Sequence, residues 1–364
     1  MVAPQGPLAG VKVVEFAGLG PGPLAGTILS DYGANIVRIV RKGARDPLDW
    51  EVDQRGRRSI ELDLKDPRSV EIALKLAEKA ELLFEGFRPG VMERLGLGPE
   101  VVHARIPALV YGRMTGWGQD GPYAHAAGHD LNYLAITGAL HAIGTAERPV
   151  PPLNLAADYG GGAMFLVTGL LAALIHARAT GEGQVIDVGM SDGAAFLMTQ
   201  FYGLYNAGVW HDRREANIID GGAPFYGVFR CADGEWISIG SIEPQFYALL
   251  LDMTDANAEL PGDQNDQSTW PERRATLQRI FETKTRAEWC EIMDGTDVCF
   301  APVLSLRDAP NHPHNKARGA FTEIDGNVLP APAPKFSRTP ANVQGGLSRV
   351  ERDPASVLSD WGIE

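Results

Sequence analysis

Five short runs of strand-forming character lie within the first 115 residues, and helical stretches separate several of them. Lys12–Phe16 (KVVEF), 35–40 (NIVRIV), 58–64 (RSIELDL), 81–87 and 108–114 have the length and composition of strands. After the first, a Gly/Pro turn leads into a helix over roughly residues 24–32, stopped by Gly33. Asp66-Pro67 opens another helix, with Asp as N-cap and Pro at the first helical position. Val70, Leu74 and Ala77 share one face of it, and Ile72, Ala73 and Leu76 widen the apolar stripe. Strand and helix alternating at such short spacing call for right-handed βαβ crossovers. The chain is therefore expected to be an α/β protein built on a large, Rossmann-like, mostly parallel sheet.

Further along, Asp158 precedes YGGGAMFLVTGLLAALIHARATG and reads as an N-cap. The helix after it is apolar nearly all round, so it is expected in the core, ending at Gly181 and Gly183. Residues 184–188 form another strand, and Ser191 caps the next helix. The character changes near residue 200. FRCADGEWISIG places Asp233-Gly234 between β-rich arms, a hairpin signal. Helical segments follow near 244–253, 271–282 and 286–294, with a strand over 299–304. The plan this predicts is a large domain over 1–190 completed by 330–364, and a linker helix over 191–224. A smaller α+β domain over 225–308 and a return linker over 309–329 complete it. Pro, Asn and His are frequent over 309–341, which reads as linker, and 353–361 as a closing helix. Two domains suit 364 residues.

A formal charge of −13 argues against a nucleic-acid binder and against a protein held on acidic membranes. Cys231, Cys290 and Cys299 are odd in number and form no CxxC pair, so neither a disulfide framework nor a metal site is expected. A reducing compartment follows from that reading. No apolar run is long enough to predict a membrane span. MVAPQGPLAG lacks the features of a signal peptide and DWGIE is not a peroxisomal tripeptide, so the cytoplasm is the expected location. The charge is uneven. Residues 38–113 carry fifteen basic and thirteen acidic groups, against seventeen and thirty-one over 114–364. That window fits solvated helix faces or a seat for a phosphorylated ligand.

Several residues stand out as candidates. Gly18-Leu19-Gly20-Pro21-Gly22-Pro23 follows the first strand like a dinucleotide fingerprint, but Pro23 stands where a glycine is needed. The second strand ends in Arg38 and Arg41 rather than in an acid, which argues against a nicotinamide dehydrogenase. Guanidinium grips phosphate through two parallel hydrogen bonds. Arg38, Arg88 and Arg94 could thus clamp a phosphate-rich handle such as coenzyme A, each alternatively serving only solubility. His129, in Gly128-His129-Asp130-Leu131-Asn132-Tyr133, is either a capping residue or a group facing a cleft beside N–H groups that could hold an enolate. Asp158 is either a plain N-cap or a base or nucleophile, and Gly160, Gly161 and Gly162 suggest close access there. Glu243, before Pro244, reads as the start of a helix.

Taken in order, VVEFAGLGPGP, FEGFRPGVMERLG, YGRMTGWGQDGP, AGHDLNY, PPLNLAADYGGG, GGAPFY and SIEPQFY resemble the family III CoA-transferase superfamily over nearly the whole chain. Within it the sequence is most similar to the branch that racemises 2-methylacyl-CoA thioesters. That resemblance implies an isomerase using His129 and Asp158 as the acid/base pair, through an enolate. It implies coenzyme A contacts at Arg38, at Leu62, Asp63, Leu64 and Lys65, at Gly86, Phe87 and Arg88, at Arg94, and at Gly128, Asp130, Leu131, Asn132 and Tyr133. It further implies an interlocked homodimer that brings Glu243 of a second copy to the site. No cofactor is implied, because coenzyme A enters with the substrate. The transferase branch would use Asp158 as a nucleophile and generally lacks the histidine, so His129 favours the racemase.

Overall fold

The computed structural model describes residues 5–363. Its contacts divide the chain into two units. The first runs up to Thr137, then Pro152–Met198 and from Gly319 onward; the second comprises Gly138–Pro151 and Thr199–Arg318.

The first unit is built on a wholly parallel sheet. Its strands are β1 (Lys12–Phe16), β2 (Asn35–Arg41), β3 (Arg58–Leu62), β4 (Leu82–Glu85), β5 (Val110–Thr115) and β6 (Val185–Gly189). The spatial order is β3-β2-β1-β4-β5-β6, with the two-residue strand Val350–Glu351 outside β3. Val14 pairs in register with Val37 on one side and with Leu83 on the other. Chain order reverses between β1 and β4, which makes their carboxyl ends a topological switch point. The loops that leave those ends almost touch: a Cβ on Gly18 would lie 4.0 Å from the Cα of Gly86.

Both faces of the sheet are covered, so the central strands are buried on both sides, mostly apolar, with Glu15, Arg38, Glu85 and Arg113 as buried charges among them. Asp66 accepts the Arg68 N–H at 3.1 Å and Pro67 starts the helix Pro67–Glu78. That helix packs Ala73, Leu74, Leu76 and Ala77 into a core with Val14, Val37, Ile60 and Tyr111. Val357, Trp361 and Ile363 join the same core, so the end of the chain does return to the first unit. The helix after β1 begins at Pro21, three residues before the expected start, because a proline is at ease in a first turn.

Three expectations need correction. Asp158 is not an N-cap: it lies inside a π-helical stretch, Leu155–Ala163, that precedes the α-helix Met164–Thr180. That α-helix is not buried all round either; Met164 and Ile175 are exposed while Leu166, Val167, Leu170 and Leu174 face the core. Residues 155–180 are long and apolar enough to cross a membrane by length and composition, but half of the most apolar stretch is buried, as in the core helix of a folded domain. Finally, the expected linker over 309–341 contains the helix Pro313–Arg318 and an antiparallel hairpin, Phe321–Ile324 with Asn327–Pro330.

The second unit holds an antiparallel sheet of β7 (Tyr226–Arg230), β8 (Trp236–Gly240) and β9 (Phe300–Pro302), in that order. Gly234 takes φ 82° in the β7–β8 turn. Helices Pro244–Met253, Trp270–Phe281 and Arg286–Met293 pack over an aromatic core in which Phe281 lies 5.0 Å from Phe229 and 5.1 Å from Trp289. Its limits differ from the expected 225–308. Residues 199–224 belong to it, and so does 138–151, which Arg214 ties in by donating to the carbonyls of Thr145 and His141. All three cysteines are free thiols.

Candidate active site

A cleft of about 1310 Å³ opens at the carboxyl ends of the parallel strands in the first unit. The glycine loop after β1 forms one wall, with Leu19, 92 % exposed, projecting at it. Ligands of open parallel sheets bind at this position.

His129 and Asp158 both line the cleft. His129 stands at the N-cap of the helix Asp130–Ala135 in extended conformation, φ −132° and ψ 173°. Its own N–H donates to Asn132 Oδ1 at 3.0 Å. The preceding residue is pinned as well, because the Tyr133 hydroxyl donates to the Gly128 carbonyl and Trp117 stacks edge-on to Tyr133 at 4.8 Å. A Cβ on Gly128 would sit 2.7 Å from the Tyr133 ring, so only glycine fits without displacing it.

Asp158 reaches the same cleft from the π-helical stretch. Bonds spanning five residues, such as Tyr159 N–H to the Asn154 carbonyl at 3.3 Å, widen the turn. Asp130 completes the arrangement. It is 5 % exposed, and its Oδ2 accepts the N–H of Ala157 at 2.8 Å and of Asp158 at 2.7 Å. A Cβ on Gly20 would lie 3.5 Å from Asp158 Oδ2, so the glycine turn leaves room beside the carboxyl. Burial raises the pKa of Asp158, and the negative charge of Asp130 raises it further. A hydrogen bond with Asn154 and the nearby His129 oppose these effects without cancelling them. The protonated acid is thereby favoured over its ordinary population.

Beneath the cleft, Arg38 on β2 is buried, its Nε 3.3 Å from Glu15 and its Nη1 donating to Gln54 at 2.6 Å. Arg57 donates to the same carboxylate of Glu15 at 3.0 Å. Two guanidinium groups thus share the Glu15 carboxylate, and Asp53 lies near enough to act on both. Leu62, Asp63, Leu64, Lys65, Gly86, Phe87, Arg88, Gly128 and Tyr133 also line the cleft.

Other expected contacts lie elsewhere. Arg94 does not line the cleft; its guanidinium lies over Gly90, 3.2 Å from where a Cβ there would stand. Asp130, Leu131 and Asn132 are not in the lining, because Asp130 and Asn132 turn to backbone N–H groups and Leu131 to the outside. Glu243 belongs to the second unit, at the N-cap of Pro244–Met253, and does not line this cleft. Arg41, Lys42 and Arg45 do line it, although no contact was expected from Lys42 or Arg45. Their sequence signal is the basic run RIVRKGAR at the carboxyl end of β2. Lys42 lies 3.5 Å from Asp63 and Arg45 pairs with Glu51, whereas Arg41 has no ion pair among the described residues.

The CoA-transferase family III profile matches residues 8–353. The chain is 45 % identical to the α-methylacyl-CoA racemase of Mus musculus, over 98 % of its own length and 93 % of that protein's. It is 43 % identical to the α-methylacyl-CoA racemase of Homo sapiens, over 98 % and 94 %. Among solved structures, a CAIB/BAIF family protein from Brucella suis superposes with a TM-score of 0.85 at 23 % identity, covering 98 % of this chain and all of that one. The chain belongs to CoA-transferase family III.

Proposed function

We propose that this protein interconverts the (2R) and (2S) forms of 2-methylacyl-CoA thioesters. The observation that carries the reading is the meeting of two dissimilar proton carriers, His129 and Asp158, in one cleft that is also lined by Arg41, Lys42, Lys65 and Arg88. Inverting a carbon centre needs a base on one face and an acid on the other. Neutral His129 takes the α-proton, and the electrons of the broken C–H bond pass into the thioester carbonyl to form an enolate. Protonated Asp158, favoured by burial beside Asp130, delivers a proton to the opposite face. The product leaves imidazolium and carboxylate behind, and the reverse reaction exchanges their roles.

The cations at the carboxyl ends of β2 and β4 suit the phosphates of coenzyme A, which arrives as part of the substrate. Binding energy gathered there can position the distant reacting carbon. The reading includes a homodimer in which the partner's Glu243 approaches the acid/base pair. The exposed apolar side chains of Met164, Ile175 and Phe196 on the first unit support an association surface. Three free thiols fit the cytoplasm.

Exchange of the α-proton of a 2-methylacyl-CoA in deuterated water tests the scheme. His129→Ala and Asp158→Asn should each lower exchange accompanied by inversion by about 10²–10⁴-fold. Near wild-type racemisation in either variant overturns the two-base reading. A hydroxylamine-sensitive acyl intermediate on Asp158 would replace it with a transferase.

A further inference from the structure

Glu85 ends β4 directly below the loop that carries Gly86, Phe87 and Arg88. It is 1 % exposed. Its Oε2 accepts the N–H of Phe87 at 2.6 Å, and its Oε1 accepts Nε of Arg113 on β5 at 3.0 Å. The far end of Arg113 grips Glu93, on the helix that follows the loop, at 2.7 and 3.3 Å. One guanidinium thus joins the start of the 86–90 loop to the helix beyond its end. Nothing in the acid/base chemistry uses this triad. No side chain in it other than Glu93 is appreciably exposed.

We propose that Glu85, held by Arg113, is a positioning residue that fixes the 86–90 loop for acyl-CoA, so that its loss weakens thioester binding rather than proton transfer. This rests on the reading of the cleft as an acyl-CoA site. The physical argument is that a carboxylate lies two residues behind a backbone N–H it accepts, and the arrangement holds only while the carboxylate is an acceptor on both oxygens. A glutamine there keeps one acceptor but must aim an NH₂ at a second donor, which breaks one side of the contact.

The same geometry has a titration. Burial raises the pKa of Glu85 to about 6, and the charge of Glu93 raises it, while the Phe87 N–H and Arg113 oppose the rise. The ionisable groups facing it are Arg113 and Tyr111 on β5 and Glu93 on the following helix. Burial keeps the Tyr111 hydroxyl neutral and Arg113 stays charged, so Glu85 itself titrates as the solution is acidified. The proton converts an acceptor into a donor and releases the loop.

Coenzyme A binding, measured by calorimetry from pH 8 to 5 on the full-length protein, decides the matter. At pH 8, Glu85→Gln should raise the Kd about tenfold, the size of one lost charge-assisted hydrogen bond. The wild-type Kd should approach that of the variant as the pH falls below 6. Phosphate titration is common to both proteins and drops out of the ratio. In turnover the loss should fall on KM and spare kcat. Should Glu85→Gln not fold, Glu93→Gln serves, because its carboxyl is half exposed. Removing that charge lowers the pKa of Glu85, so the acid weakening of binding should move to lower pH. Equal Kd values for wild type and Glu85→Gln at every pH, or an unmoved acid limb in Glu93→Gln, overturns the proposal. Failure of the wild type to bind coenzyme A at all would instead overturn the acyl-CoA reading, and this proposal with it.

Discussion

Asp130 Oδ2 receives the backbone N–H of Asp158 at 2.7 Å, across 28 residues of sequence. One buried carboxylate therefore ties the segment that presents the imidazole to the segment that presents the acid. It acts on Asp158 twice, holding its backbone and disfavouring its ionised form. Asp130→Asn separates the two effects, since the amide oxygen can still accept N–H groups while the charge is gone. The pKa of Asp158 should fall. In the direction where Asp158 delivers the proton, rate is lost as pH rises through that pKa. The basic limb of the pH–rate profile should therefore move to lower pH in the variant. An unchanged limb with lowered thermal stability would mean that Asp130 serves only to hold the backbone.

Arg41 faces the cleft without a counter-ion among the described residues, whereas Arg38 is already matched to Glu15 and Gln54. Arg41→Ala should raise KM for a 2-methylacyl-CoA by about tenfold, as for one charge-assisted contact. The effect should vanish with the corresponding pantetheine thioester, which lacks the nucleotide. Equal losses on both substrates would show that Arg41 supports the fold and not the phosphates.

Gly26, in the helix Pro21–Asp31, lies against the Glu15–Arg57 pair; a Cβ there would come within 2.6 Å of Glu15 Oε2 and would also meet the Arg57 guanidinium. Gly26→Ala should destabilise the protein although alanine favours helix, because the pair has no room to shift. Glu15→Gln leaves two buried guanidinium groups without their carboxylate and should cost about 3–5 kcal/mol. Urea denaturation of both variants checks this; a Gly26→Ala protein as stable as wild type would mean that the pair relaxes.

How much of this could be read beforehand depended on whether the signal was local. β1 to β5 were legible because their apolar runs are bounded by Gly, Pro and Asp, and Asp66-Pro67 and Asp233-Gly234 name their turns by side-chain chemistry. The hairpin at Asp325-Gly326 carries the same dipeptide but was hidden by surrounding Pro and Asn, where φ of 51° and 78° form a tight reversal. The π-helical stretch had no signature at all. Its bonds depend on what Asp130 and the helix Met190–Leu197 press against it, so an Asp before glycines read as a cap. His129 and Asp158 were identified as a pair by resemblance; their shared anchor, Asp130, was visible only in three dimensions. The direction of Arg94 was equally illegible: it ends the short helix Val91–Arg94 beyond β4, and its place in the sequence does not fix where its side chain points.

The wide turn at 155–163 also limits how this site can be altered by insertion or deletion. Each residue of an ordinary α-helix advances the side chains by about 100°. Deleting one residue between Asn154 and Asp158, so that the stretch winds tightly, would swing the carboxyl away from the cleft while leaving the composition almost untouched. Point substitutions can therefore tune this acid, but a change in spacing would remove it from the reaction altogether.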